Sequence, residues 1–340
     1  MHMSAIVHRN PALERLPGGM RFPIAVSALL LLASFAPSPG PVSAMAAARL
    51  AIAFDALPLD PSNPARRRVG GLVYLGGWAM RGDDPRFGGI SAMHVDKKRV
   101  TALTDAGSLI RFAVPGARSG KGSIEALRDG PGNPDKKSDR DAESMAIYGG
   151  QAWIAFEKTN AVWRYRGADW RSDAHASPPA MRKWPSNAGS EAMLRLPDGR
   201  FLIFSEGKKR GDGSTEALLF DGDPARAGTK ASSLGYRAPA GFSITDAALL
   251  PDGRILFLNR RFALLEGVAA KLTVGHLSAV KAGAVLTGRE IATLRPPLTV
   301  DNMEAMSVAR EGEKTIVWIA SDDNFNGLQR NLLMKFTLAE

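Results

Sequence analysis

The sequence predicts an all-β fold, a β-propeller with five visible blade repeats, and three observations carry that prediction. Apolar runs of strand length alternate with turn-like spacers, and no long amphipathic helix pattern occurs. A unit headed by an acidic or polar residue recurs five times. Each recurrence reads as a three- or four-stranded antiparallel meander of about 50 residues, the period and content of a propeller blade. A β-sandwich is the competing all-β arrangement, but it gives no reason for the recurrence.

The chain opens on a different kind of segment. Met20-Arg21 precedes Ile24 to Ala36, an uncharged run rich in Leu and Ala, which Pro37 to Pro41 breaks before Val42-Ser43-Ala44. A basic start, a short apolar run and a small-residue end describe an export signal. The run falls short of the roughly 20 residues that span a membrane. Residues 1–44 are therefore expected to be removed as signal peptide and linker, with Met20 as an alternative start. A single propeller domain over 45–340, periplasmic or secreted and without a transmembrane segment, would remain.

Within that domain, Ser91, Glu143, Glu191, Asp246 and Glu304 stand at corresponding places, at steps of 52, 48, 55 and 58 residues. Each heads an apolar run, followed by a turn, a second run and a second polar cluster. The turns Asp198-Gly199 and Asp252-Gly253 are strong hairpin signals, because glycine accepts the positive φ they demand. Third runs follow at Leu109 to Val114, Ala161 to Tyr165, Ala217 to Phe220, Leu272 to Leu277 and Asn331 to Leu338, and a weaker fourth at Glu290 to Leu294. A lone blade leaves faces uncovered, so the units must stack around an axis. The last unit lacks an outer strand, and Arg68 to Met80 is expected to supply it and tie the ring. Ala48 to Leu57 offers material for a sixth blade within residues 45–88. Ala113 to Pro134 and Ser172 to Pro185, dense in breakers, read as inter-blade loops.

Composition narrows the chemistry. Cysteine is absent, which excludes disulfides and thiol catalysis. The net charge of +10 falls to about +8 once Arg9, Arg15, Arg21 and Glu14 leave with the signal, and such a surface attracts anions. The basic residues are scattered without interleaved aromatics, which argues against nucleic acid. His94, His175 and His276 form no zinc-binding spacing, no G-x-S-x-G elbow occurs, and Gly70-Gly71 and Gly76-Gly77 lie inside a predicted strand, where they cannot cradle phosphate. The expected partner is a small anionic or phosphorylated ligand, taken by a monomer.

In a propeller the first strand of each blade lines the central channel. Glu143, Glu191, Asp246 and Glu304 would converge there, with Asp105, Glu157, Glu206, Asp301, Asn302, Asp322, Asp323 and Asn324 nearby. So many carboxylates repel one another unless neutralised. Ca²⁺, a hard cation that takes several oxygen ligands in loose geometry, answers that repulsion. Glu143, Glu191, Asp246, Glu304, Asp322 and Asp323 are the expected ligands. Arg260 and Lys158 are the expected catalytic cations, with Arg261 beside them, since positive groups near metal-bound carboxylates are what phosphoester cleavage needs. A propeller that binds an anion or a protein partner without catalysis is the rival expectation.

These stretches resemble the phytase-like family, described as having esterase-like activity of phytase. The likeness runs over nearly all of residues 66–340. It rests on Gly88-Gly89-Ile90-Ser91, Thr104-Asp105-Ala106-Gly107, Asp141-Ala142-Glu143, Asn187 to Ala192, Thr245-Asp246, Leu250 to Arg254, Arg260-Arg261-Phe262, Asp301 to Glu304, Ser321 to Phe325 and Gln329. The resemblance implies an exported propeller that hydrolyses phosphoesters or esters. Two positions depart from the family's usual pattern: Ala106, where arginine is common, and Ala305, where glycine is usual.

Overall fold

A computed structural model describes residues 47–263 and 267–339, so the expected signal peptide over 1–44 lies outside the described residues. The chain enters on β1 (Ala48–Ala56), the two-residue β2 (Arg68–Val69) and β3 (Leu72–Gly82). Blade 1 follows as β4 (Ile90–Asp96), β5 (Arg99–Thr104), β6 (Ser108–Ala113) and β7 (Ser119–Ala126). Blade 2 is β8 (Ala142–Tyr148), β9 (Gln151–Phe156), β10 (Ala161–Arg166) and β11 (Arg171–Ala176). Blade 3 is β12 (Ser190–Arg195), β13 (Phe201–Lys209), β14 (Thr215–Phe220) and β15 (Ala231–Arg237). Blade 4 is β16 (Ser243–Leu249), β17 (Arg254–Ala263) and β18 (Gly267–His276); after β19 (Val285–Thr287), which adds in parallel to β15, its outer strand is β20 (Arg289–Leu294). Blade 5 is β21 (Met303–Glu311), β22 (Lys314–Ser321) and β23 (Asn331–Leu338), completed by β3.

The innermost strands β4, β8, β12, β16 and β21 neighbour one another in that order, and β21 returns to β4. Among the described residues the ring therefore has five blades. The apolar core is divided accordingly, one cluster to each seam. Phe54, Ile90, Ile316 and Trp318 join blades 5 and 1, and Ala92, Leu103, Ile154 and Phe156 join 1 and 2. Trp153, Met193 and Phe201 join 2 and 3, Phe204 and Phe257 join 3 and 4, and Leu258, Met303 and Leu332 join 4 and 5. Side chains alternate across each strand, so a middle strand such as IVWIA in β22 is apolar on both faces, one for each neighbouring blade.

The closing strand is the expected one: β3 pairs antiparallel with β23, Ala79 opposite Leu332. The sixth-blade alternative is corrected. β1 instead lies between β3 and β7, joining the outer edges of blades 5 and 1 into one ten-stranded sheet, with Phe54 opposite Met80 and Leu50 opposite Gly122. The two expected inter-blade loops are corrected as well, because each contains an outer strand, β7 and β11. Outer strands need only one apolar face at most. β11 reads RSDAHA with alternate residues exposed, and β7 reads SGKGSIEA, so neither carries the apolar run that marks inner strands.

Candidate functional site

One irregularity repeats in all five blades and builds the site. The inner strand of each blade carries one residue more than the strand it pairs with, at the same place: Ser91, Glu143, Glu191, Thr245 and Glu304. An extra residue bends a strand and re-aims its side chain. Three of the five are glutamates. The other two carry hydroxyls that close seams: Ser91 donates to the carbonyl of Ala142 at 2.5 Å and Thr245 to that of Met303 at 3.1 Å. The sequence alignment of Asp246 with the glutamates is thus displaced by one residue.

A second layer lies where the next strand passes. The N–H groups of Asp105, Glu157, Glu206 and Asp322 donate to the carbonyls of Gly89, Asp141, Gly189 and Asn302. In blade 4 the same place, opposite Ser243, belongs to Arg260. Four blades therefore present an acid there and one presents a guanidinium.

Around Arg260 the charges are matched within the chain. Its Nη1 donates to Asn302 Oδ1 at 2.8 Å and lies 3.2 Å from Glu304 Oε1, while Nη2 lies 3.5 Å from Glu206 Oε1. Burial alone would lower its affinity for the proton, but Glu304, Glu206 and Glu191 hold it well above the ordinary value. Burial raises the Glu304 carboxyl and Arg260 holds it back, leaving it at about 7.

Across the channel the balance fails. One oxygen each from Asp141, Glu143 and Glu157 lie within 4.8 Å of one another. Among the described residues no lysine or arginine forms an ion pair with Glu143, Glu157 or Glu191. Burial and then Glu191, Asp141 and Glu157 push Glu143 well above the usual carboxylate range. Burial and then Glu206, Glu157 and Glu304 do the same to Glu191. Asp141 is raised to about 6 by burial and Glu157. Burial raises Glu157 too, against the Gly189 N–H that its Oε1 accepts at 2.7 Å. Carboxylates this close are stable only when they hold protons or a cation. An all-oxygen donor set without nitrogen or sulfur fits Ca²⁺ or Mg²⁺ and not zinc.

Between these sides stands Lys137, which the sequence analysis did not select. Its Nζ lies 2.6 Å from Asp105 Oδ2. Burial opposes its charge, but Asp105, Asp141 and Asp322 together hold its pKa above the ordinary lysine value. Asp105 nevertheless rises to about 6, through burial and the nearby Asp141 and Asp323, because one ammonium serves several acids. Burial and then Asp105 and Glu304 raise Asp322.

The remaining expected residues are spent on structure or lie on the rim. Asp246 accepts backbone N–H bonds from Ala247 at 2.7 Å and Met306 at 2.6 Å, pinning blade 4 to blade 5. Asp323 accepts from the N–H groups of Gly89 and Phe325 and from Asn331 Nδ2, pinning blade 5 to blade 1. Gly89 has φ 63°, and a Cβ there would meet Asp105 Oδ1 and the Phe325 ring at 2.5 Å. Asp301 pairs with Arg330 at 3.3 Å, and Asn324 Nδ2 donates to Gln329. Lys158 is exposed and pairs with Asp139 at 2.8 Å, and Arg261 lies over the Phe242 ring. Asp141 and Lys137 are the site residues missed. Asp141 stands in the quoted repeat two places before Glu143, whereas Lys137 sits on a single 3-10 turn with no pattern to mark it.

The fold and this site define a class: a five-bladed propeller whose axis gathers buried and half-buried carboxylates around Arg260 and Lys137. Residues 85–325 match the family described as phytase-like, esterase-like activity of phytase, and the chain belongs to that family. A search of curated proteins returns no match. Among solved structures, glutaminyl cyclase of Myxococcus xanthus aligns at 8% identity over 79% of this chain and 97% of that one, TM-score 0.46. An α-L-arabinanase mutant of Cellvibrio cellulosa aligns at 10% identity over 71% and 88%, TM-score 0.42. The N-terminal domain of Nup159 aligns at 8% identity over 80% and 75%, TM-score 0.37.

Proposed function

We propose that the axis is a hydrolytic centre for phosphoric esters, or other esters, that works with a hard divalent cation, Ca²⁺ fitting best. The observation that carries this reading is the cluster of Asp141, Glu143 and Glu157, whose oxygens lie within 4.8 Å and which, among the described residues, no lysine or arginine joins in an ion pair. Those three, with Glu191 beside them, would hold the cation. When bound, it would compensate the charge of a phosphoryl group and favour attack by water.

The chain's own groups supply the rest. Arg260 and Lys137 flank the acids and offer N–H donors to phosphoryl oxygens, stabilising negative charge as it develops. Glu304, at about 7, is the carboxyl matched to hold a proton near neutral pH and pass it to a departing alcohol. The family's description supports ester hydrolysis as the reaction class. A small anionic ligand is the proposed substrate, and export with loss of residues 1–44 the proposed location. No helix among the described residues is long and apolar enough to cross a membrane.

The test is hydrolysis of p-nitrophenyl phosphate and p-nitrophenyl acetate by full-length protein, with Ca²⁺ and with chelator, beside a metal analysis. Turnover that needs the cation is expected. Retained Ca²⁺ with no turnover of either ester would instead support a propeller that binds without catalysing.

A further inference from the structure

A groove lies away from the carboxylates, at the other end of the strands. The seam between blades 1 and 2 is filled by Ala92, Leu103, Ala142 and Phe156 near the axial acids. Toward the opposite end it opens into a groove of about 990 Å³. Its floor is a cross-strand row on one face of blade 1: His94 beside Thr101, Thr101 beside Arg111, Arg111 beside Ser123. Ile147 and Trp170 of blade 2 form the facing wall.

The charge of its lining suits an anion. Lys97, Lys98, Arg99 and Lys121 line it, all exposed and, among the described residues, none in an ion pair; Asp96 is the one exposed acid among them. Arg111 lines the floor, where it gives Nη1 to Glu125. Trp170, which Arg111 overlies at 5.4 Å, holds φ 48°, a conformation a bulky residue adopts only when its surroundings impose it.

We infer that this groove is a second anion site, distinct from the axis, that takes a soluble ligand carrying two or more phosphate groups. Its volume suits a small molecule. The cations are spread around the mouth, where several charges of one ligand can be met together, and the guanidinium and two hydroxyls, of Thr101 and Ser123, offer directed donors below. The inference does not depend on hydrolysis at the axis.

Equilibrium dialysis of full-length protein against tripolyphosphate, with chelator present to keep metal from the axis, tests it. Wild-type protein and the Lys158→Gln variant, altered only at the axial rim, should bind alike. The Lys98→Gln, Lys121→Gln double variant, changed at two exposed side chains, should bind at least about tenfold more weakly. Trp170→Phe should abolish the fluorescence change that tripolyphosphate causes. No uptake by wild-type protein, equal binding by the double variant, or equal loss in Lys158→Gln would overturn the inference. So would binding to phosphatidylglycerol vesicles without binding to tripolyphosphate, which would make a lipid headgroup the ligand.

Discussion

The two sides of the propeller axis share one backbone plan and differ in charge: blade 2 carries Asp141, Glu143 and Glu157 where blade 4 carries Ser243, Thr245 and Arg260. Blades 2 and 4 both bring an inner strand with an extra residue against a second strand, and where blade 2 places Glu157 blade 4 places Arg260. Near Arg260, Glu206 and Glu304 are neutralised by the protein itself. Near Glu157, Asp141 and Glu143 are not. In a repeat fold the few side chains set at equivalent places thus decide whether a cluster of acids is self-sufficient or requires a proton or a cation from outside.

The comparison breaks most sharply if Arg260 is removed. Arg260→Met leaves Glu206 and Glu304 uncompensated, and stability should fall by about 3 kcal/mol in chemical denaturation, as when one member of a largely buried pair is deleted. The opposite change on the other side should have the opposite sign. Glu143→Gln should stabilise metal-free protein at pH 8 by about 1–2 kcal/mol, because burial first and then Glu191, Asp141 and Glu157 disfavour the charge that the amide lacks. The same variant should weaken Ca²⁺ binding by on the order of 100-fold, since ligand charge sets affinity at such sites.

The pH dependence draws on both sides. Asp105 and Asp141 are raised to about 6 and Glu304 to about 7, above their values in an unfolded chain. A raised carboxyl binds its proton more tightly when folded, so its contribution is complete below the unfolded value and is lost as pH rises through the folded one. With chelator, the melting temperature should therefore fall by about 5 °C between pH 5 and pH 8, and Ca²⁺ should reverse the part of the fall that comes from Asp141. A smaller effect is expected at the seam: Gly89→Ala, at positive φ and against Asp105 and Phe325, should cost about 1–2 kcal/mol in thermal or chemical unfolding.

The ring and its closing strand are legible in the sequence because inner and middle strands bury both faces and leave apolar runs at a steady interval. The outer strands β7 and β11 are not, since half-exposed SGKGSIEA and RSDAHA obey no burial pattern. Glu143, Glu191 and Glu304 are legible as a convergent set. Asp246 misleads because acid aligns with acid by eye, whereas the extra residue of blade 4 is Thr245, and only the pairing register reveals it. Lys137 is illegible for another reason: its charge matters through Asp105, a neighbour that folding alone provides.

Calorimetric titration of Ca²⁺ into metal-free, full-length protein tests the central claim most directly. It is best run near pH 6, where Asp141 is half protonated, in two buffers of different protonation enthalpy. The imbalance around Asp141, Glu143 and Glu157 predicts binding that releases protons as the cation takes their place, with both effects lost in Glu143→Gln. Absence of binding, or binding without proton release, would contradict it.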